Sequence, residues 1–216
     1  MEELENNSKD IKIIGAFISI PKCASKSILR IFNLGKNRDN HFDEKSDQSI
    51  IFENHQRLSV LEKRYDLNDK FIFTFVRHPY QRIISWFYYH KHIEPYKSLS
   101  LNEWISNGCQ THWKKQNKTN WKKENLSPLL QYNFIEANSN INYIGKMENF
   151  EQDCKNIIAQ INILLEQNNY PKITFSNIKV NSRSYPNKDK ITEENKNLIY
   201  NMFKKDFEYF GYTPNI

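Results

Sequence analysis

The sequence predicts an α/β fold built on a largely parallel sheet with helices flanking it. Two observations carry this: short apolar runs alternate with segments of helical period, and two of the runs lead through a tight polar turn straight into a helix; no internal repeat is visible. A chain of 216 residues can bury one two- or three-layer core and is too short for two, so residues 1–216 are read as a single domain.

Residues 1–10 are acidic and polar and are expected to be flexible. Residues 11–20 form an Ile- and Phe-rich run that stops at Pro21, which cannot continue a central ladder, so this is a buried strand. Ser25 or Ser27 then opens a helix running to about Phe32, followed by a polar loop over 33–49 and a short strand over 49–52. Leu58, Leu61 and Tyr65 recur at helical spacing within 56–65. The clearest strand is 71–76, in which every residue is aromatic or β-branched. His78-Pro79 ends it, and a helix over 79–90 follows with proline in its first turn. Residues 108–127 turn to Lys, Asn, Gln and Thr and are read as an insertion over the surface. Helices over 128–137 and 150–167 bracket a strand at 142–145, and a strand at 173–175 and a polar loop over 176–190 precede the last helix, 192–207. Thr192 with Glu193 and Glu194 behind it makes an N-cap with an acidic first turn.

Composition narrows the function without choosing it. Lys plus Arg number 31 against 25 Asp plus Glu, a net charge of +6 that favours anionic ligands: nucleotides, acidic glycans or nucleic acid. Cys23, Cys109 and Cys154 are spaced for neither a disulfide framework nor a zinc site, and they suit a reducing compartment. The apolar run at 11–20 contains Lys12 and is too short to span a bilayer, and no signal-peptide n-region precedes it. A cytoplasmic location is the expectation.

Ligands of open parallel sheets sit at the carboxyl ends of strands, beside the free N–H groups of the next helix. The first such turn, Ile20-Pro21-Lys22-Cys23-Ala24-Ser25-Lys26-Ser27-Ile28, places two cations and two hydroxyls at a helix start. A bound phosphate needs those groups, and a capped helix with solvated lysines would show them too. It is not the standard GxxxxGK[ST] loop, because Ile20 and Ser25 stand where glycines are required. The second turn follows strand 71–76, with Arg77 at the strand's end and Ser85 eight residues on. Arg77 is a candidate anion clamp or a structural ion-pair partner.

Taken together the two loops resemble those of the sulfotransferases that use PAPS (3′-phosphoadenosine-5′-phosphosulfate), in particular the family 2 carbohydrate type. Residues 17–27 (FISIPKCASKS) resemble that family's 5′-phosphosulfate loop and 73–85 (FTFVRHPYQRIIS) its 3′-phosphate motif. Residues 143–150 and 181–212 resemble a later strand-and-turn element and the C-terminal loop and helix, so about two-thirds of the chain is covered and 108–127 is not. The resemblance implies a P-loop-like α/β fold, PAPS as sulfate donor with PAP as the product, and no metal. It implies that Lys22 stabilises charge on the bridging oxygen as the sulfuryl group leaves. Cys23, Ala24, Ser25, Lys26, Ser27 and Ile28, by side chain or backbone amide, would hold the 5′-phosphate with Lys22, while Arg77 and Ser85 clamp the 3′-phosphate. Three positions depart from the family's habit: Ala24 stands for glycine, Lys26 for threonine, and His78 for Asp or Asn.

An acceptor hydroxyl must lose its proton as the O–S bond forms, a task suited to histidine. His55 lies between the two loops, where several family members carry a base; the alternative is that it caps the helix over 56–65. Glu53 either orients His55 or replaces it, and among His41, His78, His90, His92 and His112 the next candidate is His78. Cys23 as a nucleophile lacks a visible paired base. Trp104, Trp113 and Trp121 with Lys114, Lys115, Lys118, Lys122 and Lys123 make either a saccharide platform or a solvated loop with tucked tryptophans. The expected partners are a nucleotide donor and a hydroxylated acceptor, a saccharide by resemblance, with no nucleic acid and no membrane span. Two rivals remain: a kinase with Lys26-Ser27 as a degenerate phosphate loop, which needs Mg²⁺ and an acidic strand end, and a non-catalytic basic module that binds nucleic acid.

Overall fold

A computed structural model describes residues 12–32, 49–112, 127–136, 140–175 and 190–214. Its centre is a four-stranded sheet in the order β2-β1-β3-β4, in which β1 (Gly15–Ile18), β2 (Ile50–Glu53), β3 (Phe71–Val76) and β4 (Ile141–Lys146) are all parallel. The α/β reading therefore holds, and the sheet is parallel throughout. Register sets where the loops emerge. Ile18 lies opposite Glu53 on one side and Thr74 on the other, so the loops leaving β1, β2 and β3 open along one carboxyl edge.

Burial on both faces explains why β1 and β3 read as unbroken apolar runs: every residue of both is buried. Phe17 stacks on Phe73 with ring centroids 5.2 Å apart, and Phe32 from the first helix packs on Phe73 at 5.2 Å. The one polar side chain inside β3 is satisfied, since the Thr74 hydroxyl donates to the Ile18 carbonyl at 2.7 Å. Gly145 admits Phe75 so closely that a Cβ there would lie 2.6 Å from the ring.

Helices α1 (Ser25–Ile31), α2 (Leu58–Leu61), α3 (Pro79–Tyr89), α4 (Leu101–Ser106), α5 (Tyr132–Ile135), α6 (Phe150–Gln167), α7 (Glu193–Met202) and α8 (Lys204–Phe210) complete the described chain. Two cores result. The sheet packs with α1 and α6 around Phe17, Phe73, Ile157 and Ile161, while Trp86 and Phe87 of α3 meet Trp104 of α4 and Ile199 and Phe207 of α7 and α8 in a second cluster.

The departures from expectation are local. The first strand is four residues long instead of ten, and 173–175 forms no strand; there Asn162 of α6 holds Ile173 by both its N–H (2.8 Å) and its carbonyl (2.9 Å). Helical pattern over 56–65 and 128–137 yields only the single turns α2 and α5, which bury Leu58 and Leu61 and Phe134 and Ile135. The terminal helix is two helices, broken at Phe203, whose φ of −119° and ψ of 26° leave the helical region. Its start is as expected: the Thr192 hydroxyl accepts from the Asn195 N–H at 3.3 Å. Helix α4 was not foreseen, although Ser100 and Glu103 form a full capping box, which is a sequence-level signal.

Candidate active site

The turn after β1 folds back on itself through two left-handed residues, Lys22 (φ 67°) and Ala24 (φ 61°). Ala24 is the N-cap of α1 and makes no side-chain cap, so the helix is not started by Ser25 or Ser27 in the usual way. The Ala24 carbonyl takes the N–H groups of Ser27 (2.8 Å) and Ile28 (3.0 Å), while those of Ser25 and Lys26 precede the first intrahelical bond and face outward from it. The Lys26 side chain is exposed, and Ser27 and Ile28 are buried; the Ile28 N–H is already given to the Ala24 carbonyl, so neither its side chain nor its donor faces a ligand. Cys23 is buried as well; its thiol donates to Gln131 Oε1 at 3.2 Å, and burial pushes its pKa up to about 11. A thiol held in that state is no nucleophile at neutral pH.

Lys22 reaches across to α3, with Nζ 3.7 Å from the centroid of the Tyr89 ring. Its charge adds to burial, the main cause, in lowering the pKa of both His55 and His90. Ser85 lies one helical turn before Tyr89 on the same face of α3, so the helix presents Ser85 and Tyr89 as one stripe beside the turn that carries Lys22.

His55 does not cap α2. It precedes the N-cap, Arg57, by two residues, has a left-handed backbone (φ 55°), and points its ring at the first loop. Nδ1 lies 3.0 Å from the Ser19 carbonyl oxygen and 3.2 Å from the Ser19 hydroxyl. A carbonyl can only accept, so Nδ1 carries the proton and the lone pair is on Nε2. The Ser19 hydroxyl in turn donates to Ser25 Oγ at 2.8 Å, and Ser25 Oγ donates to the Ile20 carbonyl at 3.3 Å. The imidazole is thus wired to the start of α1. Burial, with the charges of Arg82 and Lys22 adding to it, lowers its pKa from 6.5 to about 4 against the raising effect of the Ser19 bond, so the ring is neutral at pH 7.

Arg77 leaves β3 with its backbone held at both ends by one side chain: Gln131 Oε1 accepts from the Arg77 N–H (2.9 Å) and Gln131 Nε2 donates to the Arg77 carbonyl (2.9 Å). Among the described residues no carboxylate pairs with the Arg77 guanidinium, which argues against the structural ion-pair reading. Arg82 is the arginine used for structure. Only 1 % exposed, it donates from Nε to the Pro21 carbonyl (2.9 Å), from Nη2 to that of Pro128 (3.1 Å) and from Nη1 to that of Leu129. Asp206 of α8, equally buried, accepts from the N–H groups of Gln131 (2.9 Å) and Tyr132 (2.8 Å), and burial raises its pKa to about 6. Sequence reasoning found neither Gln131 nor Asp206 nor the part Arg82 plays; no local pattern marks them.

Other candidates lie elsewhere. Glu53 is ion-paired with Arg64, so its carboxylate is committed to α2's flank. His78 is packed under the C-terminus, with ring contacts to Tyr80, Phe207 and Tyr212 and Nε2 3.0 Å from the Thr213 carbonyl. His90 is buried against Tyr96 and His112, and Trp104 sits in the second core with its indole N–H on the Gln110 carbonyl at 2.8 Å. His41, Trp113, Trp121 and the five lysines among 114–123 lie outside the described residues, as do most of 108–127 and 176–190. Among the described residues no three His, Cys, Asp or Glu side chains are grouped to hold a metal, and no helix is long and apolar enough to cross a membrane.

A parallel sheet whose first and third strands each end in a cationic loop beside a helix start is an α/β arrangement suited to holding an anion at its carboxyl edge. The family comparison is specific: residues 9–213 match the Sulfotransferase family, and the chain belongs to that family as a family 2 sulfotransferase. No curated protein and no solved structure matches it.

Proposed function

We propose that this sulfotransferase takes the sulfuryl group of PAPS to a hydroxyl of a saccharide, with His55 as the general base. The observation that carries the reading is the Ser19 carbonyl on His55 Nδ1, which leaves Nε2 unprotonated on a neutral ring one strand away from Lys22. What supports PAPS is the fit of the loops: outward N–H groups at Ser25 and Lys26, an ammonium at Lys22 resting on the Tyr89 ring, and a guanidinium at Arg77 with no carboxylate partner among the described residues. When bound, the donor would supply an activated sulfuryl group and a nucleotide leaving group. Lys22 leaves the Tyr89 ring and neutralises charge that develops on the bridging oxygen; the hydroxyls of Ser25 and Ser27 and the outward backbone N–H groups of Ser25 and Lys26 bind the 5′-phosphate; Arg77 and Ser85 bind the 3′-phosphate. Nε2 of His55 accepts the acceptor's proton, and the Ser19 carbonyl stabilises the imidazolium that results. Side-chain cations supply the countercharge, so transfer needs no divalent metal, and the enzyme works in the cytoplasm.

The deciding experiment compares binding of PAP and AMP, which differ in the 3′-phosphate alone. PAP binds at least about tenfold more tightly, and Arg77→Ala costs PAP about 1.5–3 kcal/mol and AMP much less, the scale of a hydrogen bond to a charged group. Equal affinity for the two nucleotides refutes the reading. A transfer activity abolished by EDTA and restored by Mg²⁺ points instead to a kinase.

A further inference from the structure

Gln131 is fully buried, and every hydrogen-bonding position of its amide is used. Oε1 accepts from the Arg77 N–H (2.9 Å) and the Cys23 thiol (3.2 Å); Nε2 donates to the Arg77 carbonyl (2.9 Å) and to Asp206 Oδ2 (3.3 Å). The backbone N–H of Arg77 fixes which end of the amide is oxygen, so the assignment is not ambiguous. One side chain therefore touches both loops: Cys23 stands next to Lys22 in the first, and Arg77 is the cation of the second. Asp206 holds Gln131 from behind by accepting its backbone N–H at 2.9 Å, and the Arg82 guanidinium ties Pro128 and Leu129, just upstream, to the Pro21 carbonyl.

We infer that Gln131 is a positioning residue, which sets the Arg77 loop in register with the Lys22–Cys23 turn so that both phosphates of one nucleotide are met at once. This rests on the reading of Arg77 as the 3′-phosphate ligand. Gln131 touches no substrate. Its effect is exerted through the Arg77 backbone, whose direction decides where the guanidinium points. The Cys23 side chain thereby has a use that is not nucleophilic: its thiol is the first loop's handle on Gln131.

The test is a double-mutant cycle read as the ratio of PAP to AMP affinity by calorimetry, in the whole chain, on Gln131→Met, Arg77→Ala and the pair. Methionine keeps the volume and removes every hydrogen bond of the side chain, leaving the backbone bond to Asp206. Gln131→Met is expected to lower the PAP-to-AMP ratio about tenfold, the size of a lost oriented contact. In the Arg77→Ala background the same change is expected to leave the ratio unaltered. A structural role alone would weaken both nucleotides equally or add its effect to that of Arg77→Ala, and either result overturns the inference. Gln131→Leu, which is uncharged and close in volume, carries the same cycle should the methionine variant not fold. Failure of the underlying reading looks different: the unaltered protein would not distinguish PAP from AMP, or Arg77→Ala would not change the ratio. A protein that distinguishes them through Arg77 but is indifferent to Gln131 leaves the donor reading standing and removes this one.

Discussion

Ala24 has a left-handed backbone, φ 61° and ψ 18°, where the family-like loop would ordinarily carry glycine. A Cβ in that region costs roughly 1–2 kcal/mol, and glycine gives back part of the gain through its larger unfolded-state entropy. Ala24→Gly is therefore expected to leave stability unchanged or raise it by up to about 1 kcal/mol in urea unfolding. A loss larger than that would mean Ala24 does not adopt this conformation. His55 is also left-handed, and here the consequence is chemical: the turn delivers its ring onto the Ser19 carbonyl. His55→Ala should lower kcat by about a hundredfold or more with PAP affinity nearly unchanged, the usual size of a lost general base. In the donor-free protein the imidazole should titrate by NMR near pH 4, and PAP should raise that midpoint because its anionic phosphates favour the imidazolium. A midpoint at or above 6.5 would show that the ring is neither buried nor repelled by Lys22, and the base would have to be sought elsewhere.

Helix α3 connects the two loops, and its most informative residue is the one that looked least special. Gln81-Arg82-Ile83 reads as an ordinary stretch of amphipathic helix, yet Arg82 is inside and spans three backbone carbonyls. Replacing it with methionine leaves those acceptors buried and unpaired, which should cost about 2–4 kcal/mol. Arg82→Lys should recover little of that, because a single ammonium lacks the planar fork that meets several carbonyls at once. Near-full recovery by lysine in thermal unfolding would mean that charge alone is what the site requires. The contrast with Arg77 shows what a sequence can and cannot disclose. Strand β3, the turn at His78-Pro79 and the cationic loops were legible because their chemistry is local: β-branched and aromatic residues, a proline in the first turn, lysines and hydroxyls at a helix start. The hub behind them was not, since Gln131 meets Arg77 across 54 positions and Asp206 across 75, and nothing in either neighbourhood encodes the meeting. The same holds for the helix expected over 128–137, where the backbone is bent to present Pro128, Leu129 and Gln131 to Arg82 and Asp206 and only the single turn α5 survives. His55 falls between these cases, because its position between the loops was legible and its Ser19 contact was not.

Taken as a whole, the molecule buries ionisable groups that pull stability in opposite directions as pH changes. His55 and His90 both have pKa values lowered from 6.5 to about 4, chiefly by burial, and His78 and His112 are lowered for the same reason. A group whose folded pKa is depressed contributes stability that is complete above its unfolded pKa and is lost as pH falls through the folded one, since the unfolded chain binds the proton first. These histidines therefore favour the fold above pH 6.5 and cost it progressively down to about pH 4. Asp206 runs the other way: its pKa is raised from 3.8 to about 6, so its stabilising contribution is complete below 3.8 and disappears as pH rises through 6. Two strongly shifted imidazoles, with two more moving in the same direction, outweigh one carboxyl. The melting temperature should accordingly fall between about pH 7 and pH 5, and the fall should shrink in a His90→Phe variant, in which a ring of similar shape stays against Tyr96 and His112 without a proton to bind. Asp206→Asn should steepen the fall, because it removes the only strongly shifted carboxyl opposing it among the described residues. A melting temperature that is flat or rises over that same interval would show that the histidines are open to water in the folded state. In that event the neutral His55 on which the proposed proton transfer depends would lose its physical basis as well.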